Sequence, residues 1–151
     1  MGLLAARLVP HASLQRIFWP QMSQISADEP RVNKLSERII GCAFQVLNTL
    51  GPGFLEKVYG NALAHELGKC GLAVVQQHGI EVHYDGILVG QYAVDLLVEK
   101  TVMVELKAIK ALDDAHAAQC IHYLKATGLR LCLLLNFGKP RLEVRRFANG
   151  L

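Results

Sequence analysis

The chain has 151 residues, enough for one domain with a substantial core, and 52% of them are apolar. No apolar run reaches the ~18 residues of a spanning helix, so no membrane segment is expected, and a net charge of +3 is too small to point to nucleic acid by itself. The four cysteines, Cys42, Cys70, Cys120 and Cys132, lack CxxC spacing and read as reduced core residues of a cytoplasmic protein.

Residues 1–32 differ from the rest. Arg7 and Arg16 are the only charges before Asp28, and the apolar residues keep no steady period. A targeting segment is one reading, but the apolar run from Leu3 to Pro10 is short and broken by Arg7. A weakly ordered extension is expected, with the working domain over residues 33–151. There Asn33 or Ser36 is placed to cap a helix on which Leu35, Ile39, Ala43, Val46 and Leu50 recur at helical spacing. Gly51-Pro52-Gly53 ends it, and a second helix is predicted from about Leu55 to Lys69. In its first turn Glu56 and Tyr59, three apart, share a face, although an acid is favourable at any helix N-terminus.

Strands are predicted from Val74 to Tyr84 and from Ile87 to Val98, joined at Asp85-Gly86, and from Val102 to Ile109. Asp113 or Asp114 caps a helix running to about Thr127, on which His116, Gln119 and Tyr123 form one stripe. Leu131 to Phe137 reads as a buried strand and Leu142 to Phe147 as an edge strand. Lys139, Arg141, Arg145 and Arg146 are candidates for a phosphate-binding rim, with a solvated basic terminus as the alternative. Helix, helix, three-stranded meander, helix, strand, strand implies an α/β fold: a central mixed sheet of antiparallel meander plus crossover strand, flanked by helices.

Three charges interrupt the apolar strands at Asp95, Glu105 and Lys107. A charge buried in a sheet costs several kcal/mol unless it is paired or binds something. Glu105 and Lys107, two apart, leave the same face. A two-residue loop at Glu99-Lys100 would turn Asp95 away from Glu105. A three-residue loop, Glu99-Lys100-Thr101, pairs Val98 with Val102 and sets Asp95 opposite Glu105, about 5 Å away between Cβ atoms. Two carboxylates that close can share a divalent cation, and the three-residue loop is the expected one. The alternative is an internal Glu105–Lys107 pair beside a solvated Asp95.

Gly53-Phe54-Leu55-Glu56-Lys57-Val58-Tyr59 resembles the GxxExxY signature of a family of small bacterial proteins. The resemblance continues through Asp95-Leu96-Leu97-Val98, Glu105-Leu106-Lys107-Ala108, His116-Ala117-Ala118-Gln119, Tyr123-Leu124-Lys125 and Leu135-Asn136-Phe137-Gly138, covering roughly Leu35 to Phe147. That family looks like a branch of the PD-(D/E)xK nuclease-like superfamily, which implies a restriction-endonuclease-like core. By resemblance, Asp95 and Glu105 hold the metal and Lys107 is catalytic. Gln119 and Tyr123 resemble a QxxxY element that shapes the active site, and Glu56 faces the same cleft. Ala93 departs from the pattern, which often has Arg there.

The implied activity is metal-dependent phosphodiester hydrolysis of nucleic acid, DNA being favoured. Mg²⁺ or Mn²⁺ would sit on Asp95, Glu105 and the Leu106 carbonyl, and Tyr59, His116 and the four basic residues would contact the nucleic acid. The alternatives are a non-catalytic nucleic-acid-binding module and a homodimeric interaction module on the same fold.

Overall fold

The computed structural model describes residues 29–149. The chain runs α1 (Glu29–Leu50), α2 (Glu56–Lys69), β1 (Val74–Tyr84), β2 (Ile87–Val98), β3 (Val102–Lys107), α3 (Asp114–Thr127), β4 (Leu131–Asn136) and β5 (Glu143–Ala148). The five strands form one sheet in the order β1-β2-β3-β4-β5. Only β3 and β4 pair in parallel, because α3 crosses between them as a parallel connection requires. This is the mixed sheet, flanked by helices, that the sequence pattern implies. The expected extension lies, for residues 1–28, outside the described residues.

Alternation along the strands sends side chains to two cores. Val102, Val104 and Leu106 of β3 join Leu131, Leu133 and Leu135 of β4 under α1 and α2. Met103 of β3 packs with Cys132 and Leu134 under α3. Among the described residues no helix is long and apolar enough to cross a membrane.

Several local expectations are corrected. The first helix begins at Glu29, so neither Asn33 nor Ser36 caps it. Pro30 is tolerated in a first turn, where no intrahelical partner is lost. Ser36 instead turns its hydroxyl back to the Asn33 carbonyl, 2.8 Å away. Cys70 is exposed at the end of α2, its Sγ 3.7 Å from that of buried Cys42; both are free thiols. The third strand stops at Lys107 and the fourth at Asn136, earlier than predicted.

Asn136 explains those two ends. Fully buried, it accepts from the Ile109 amide at 3.0 Å and donates to the Ile109 carbonyl at 2.9 Å, replacing the sheet partners this segment would otherwise need. Its oxygen also takes the Gly138 amide at 3.0 Å. The backbones approach so closely that a Cβ on Gly138 would collide with the main chain of Ile109. The clip fixes the exit of β3 just after Lys107.

Turn chemistry fits the sequence. Asp85 and Gly86 both have positive φ, 51° and 77°, as a two-residue hairpin loop matching the strand twist demands. Asp113 caps α3, and His116 returns the favour by accepting the Asp113 amide at 3.1 Å. Asn136→Ala should destabilise the protein by about 1–3 kcal/mol in urea unfolding, because it strands buried donors and acceptors of Ile109 and Gly138.

Candidate active site

The loop between Glu99 and Thr101 sets Val98 opposite Val102, Leu97 opposite Met103 and Leu96 opposite Val104. This is the expected three-residue register. It brings Asp95 beside Glu105, and there the backbone ladder gives way to side chains. The Asp95 amide donates to Glu105 Oε1 at 3.1 Å, while Asp95 Oδ2 accepts the Leu106 amide at 2.7 Å. Each carboxylate thus holds the other strand. On its far side Asp95 Oδ1 accepts from Gln77 Nε2 at 3.3 Å. Gln77 reaches it from β1 with a left-handed φ of 54°, a conformation unusual for a residue with a long side chain.

The electrostatics are unbalanced. Glu105 is buried and 5% exposed, and burial, reinforced by the negative charge of Asp95, pushes its carboxyl up to about 8. The Asp95 amide and Lys107 pull in the opposite direction without restoring it. Lys107, half-buried at the end of β3, lowers Glu105 but forms no ion pair with it among the described residues. An internal Glu105–Lys107 ion pair is therefore not formed.

Asp95 opens into a cleft of about 390 Å³ whose lining includes Glu56, Lys57, Asn61, Gln77 and Leu106. Glu56 thus shares a cleft with Asp95, as the resemblance implies. Tyr59 does not: it is fully buried, stacked on Phe137 with ring centroids 4.8 Å apart. Its hydroxyl donates to the Gly51 carbonyl at 2.6 Å and accepts the Phe54 amide at 3.1 Å. The expectation that Tyr59 contacts nucleic acid is corrected; it locks the turn that precedes Glu56.

Gln119 and Tyr123 stand on the α3 side of the sheet, where the Gln119 amide donates to the Tyr123 hydroxyl at 3.0 Å. Burial and then the nearby Glu105 raise the Tyr123 phenol to about 12, so it stays protonated. Both border a groove of about 490 Å³ formed with Tyr92 and His122. His116 has its imidazole engaged in the α3 cap, so it is a capping residue rather than a free contact.

The expected basic rim is divided. Lys139 pairs with Glu143 at 3.5 Å, and Arg146 donates to Asn33 of α1 at 2.6 Å. Arg145 and Arg146, adjacent on β5, leave opposite faces, and none of Lys139, Arg141, Arg145 and Arg146 lines the cleft. Gln77 and Asn61 also line this cleft, and in the sequence the signal for the first is the pair of consecutive glutamines, Gln76-Gln77, within a strand.

Among the described residues no group of three or more His, Cys, Asp or Glu side chains is placed to hold a metal ion. Two carboxylates and a main-chain carbonyl, the set expected from the sequence, fall below that number. A sequence model of the PD-(D/E)XK nuclease superfamily matches residues 33–147. The fold is also similar to the crystal structure of an alkaline exonuclease (LHK-Exo) from Laribacter hongkongensis, at a TM-score of 0.47 and 15% identity, over 98% of this chain and 75% of that one. No curated protein matches.

Glu105 gives a stability prediction for the protein without metal. With its folded pKa raised from 4.5 to about 8, the native state holds a proton that the unfolded chain has released anywhere between those values. Stability from this group is full below about 4.5 and falls as pH rises, levelling off above about 8. Melting in EDTA across that window should show the decline, and Glu105→Gln should remove it.

Proposed function

Because the chain belongs to the PD-(D/E)XK nuclease superfamily, we propose that it is a metal-dependent phosphodiesterase acting on nucleic acid, DNA in the first instance. We assign it to the GxxExxY branch on the strength of Gly53, Glu56 and Tyr59, and take residues 33–151 as the nuclease-like unit. The supporting observation is the Asp95–Glu105 pair: two carboxylates from adjacent strands, one of them buried, with no cation among the described residues paired to either.

Such a pair fits Mg²⁺ or Mn²⁺, hard cations that take carboxylate and carbonyl oxygens and retain waters for substrate phosphate to displace. Asp95, Glu105 and the Leu106 carbonyl would hold the ion, which when bound polarises a phosphate and acidifies water. Lys107 leaves the sheet on the same face as Glu105, and its ammonium orients the attacking water or steadies charge developing on the phosphate. Glu56, across the cleft from Asp95, accepts a proton from water or positions it. Gln77 holds Asp95 in place. The protonated Tyr123, fixed by Gln119, donates toward the scissile strand from the α3 side.

One observation favours a partner-binding role on the same fold. Tyr84, Ile87, Leu88 and Val89 at the β1–β2 hairpin tip, with Tyr92 further along β2, are all exposed. If they seat a second copy, light scattering should give a dimer that Ile87→Asp converts to monomer.

The nuclease reading is tested by a cleavage panel of single- and double-stranded DNA and RNA with Mn²⁺. Cleavage that disappears in Asp95→Ala is expected; no cleavage of any substrate contradicts the reading. Lys107→Ala should melt within a few degrees of wild type with Mn²⁺ present yet lose about two powers of ten in single-turnover rate. Glu56→Gln preserves the helix start, so normal activity in that variant would remove Glu56 from the chemistry.

A further inference from the structure

At the other end of β3 the surface has the opposite character. Val102, next to Thr101, and Leu106, four residues apart on β3, mark ends separated by about 13 Å at ~3.3 Å per residue. Around Thr101 lies a pocket of about 380 Å³, into which α1 projects Arg31, Lys34 and Arg38 and the start of β4 projects Arg130. Arg31, Lys34 and Arg38 share a face of α1 by their spacing. The acid of the lining is Glu99, so the pocket carries a net +3, as much as the whole chain.

Among the described residues these charges are largely not consumed internally. Among the described residues Arg31, Lys34 and Arg130 form no ion pair. The Glu99 carboxylate is committed to the Ala73 amide at 2.6 Å, and Arg38 spends one nitrogen on the Cys70 carbonyl at 2.8 Å. Among the described residues Arg130 Nε is buried without a hydrogen-bond partner. A solvated basic helix face would account for Arg31, Lys34 and Arg38. It does not account for Arg130, which comes from a distant part of the chain to line the same concavity. The occupant that suits guanidinium forks and an ammonium together is multiply charged and made of acceptors only.

We propose that this pocket binds phosphate groups, and that it does so without metal. The contrast with the cleft is chemical: there Glu56 and Asp95 outnumber Lys57 and disfavour a phosphate unless a further cation intervenes, whereas the pocket attracts one directly. The proposal therefore stands independently of the nuclease reading. Its phosphates could belong to a nucleic-acid backbone or to a free polyphosphate or nucleotide, which share this chemistry.

The test uses the full chain in EDTA, where the cleft cannot recruit phosphate through a metal. Millimolar inorganic pyrophosphate should raise the melting temperature by several degrees, as a ligand of the folded state does. Arg31→Gln with Lys34→Gln changes two exposed side chains, so folding is preserved, and should remove most of the rise. No rise in wild type, or an equal rise in the double variant, overturns the proposal. Anisotropy of a labelled DNA duplex in EDTA then identifies the source. DNA binding roughly tenfold weaker in the double variant, with a salt slope reduced by about two, supports backbone phosphates. Unchanged DNA affinity beside a lost pyrophosphate response supports a free phosphorylated ligand.

Discussion

Asp95 and Glu105 are bound to each other's strands through main-chain amides, and the rest of the site is arranged around that exchange. The β2–β3 ladder ends at Leu96 and Val104; beyond it, the carboxylates take the amides that carbonyl oxygens would otherwise receive. The exchange sets the strands in register and also holds two acids together in a place where water screens them poorly. A pure stabilising device would have used neutral partners, since like charges beside each other raise the free energy of the ionised form. A site that recovers this cost when a cation arrives is the simplest physical reason to keep both acids.

The surrounding elements hold that pair open on one side. Tyr59, buried against Phe137, ties Gly51 and Phe54 together, and Gly53 in the same turn has φ +117°, a conformation that L side chains rarely adopt. Glycine, glutamate and tyrosine of the signature thus have different tasks. The glycine permits the turn, the tyrosine locks it, and the glutamate is carried into the cleft. On the opposite edge of β3, Asn136 clips the exit strand so that Lys107 ends a rigid segment rather than starting a loose one.

Most of the fold was legible because its signals are local. Alternation in β2, the continuous apolar run of β4 and Asp-Gly at the hairpin each specify one element, and hydrophobic pattern with loop length specified the β2–β3 register. The first helix shows the limit: it already runs through Glu29 and Pro30, ahead of the good capping residues Asn33 and Ser36. The candidate site stands out where charges interrupt apolar strands. What escaped were residues whose role arises only in three dimensions: Tyr59, which resembles a surface aromatic until its core position is known, and Gln77, whose unusual φ brings it to Asp95. The basic residues misled because adjacency in β5 separates Arg145 from Arg146, while α1 and β4 gather Arg31, Lys34, Arg38 and Arg130 from opposite ends of the sequence.

The central claim is that the Asp95–Glu105 pair exists to take a cation. Calorimetric titration of the metal-free protein with Mn²⁺ near pH 7, repeated in buffers of different ionisation enthalpy, tests it most directly, because Glu105 is largely protonated there and must release its proton to bind. Binding at the pair should be accompanied by release of close to one proton per ion, and Glu105→Gln should abolish that release while weakening affinity. Absence of Mn²⁺ binding at millimolar concentration, or binding unchanged in Glu105→Gln, would contradict it.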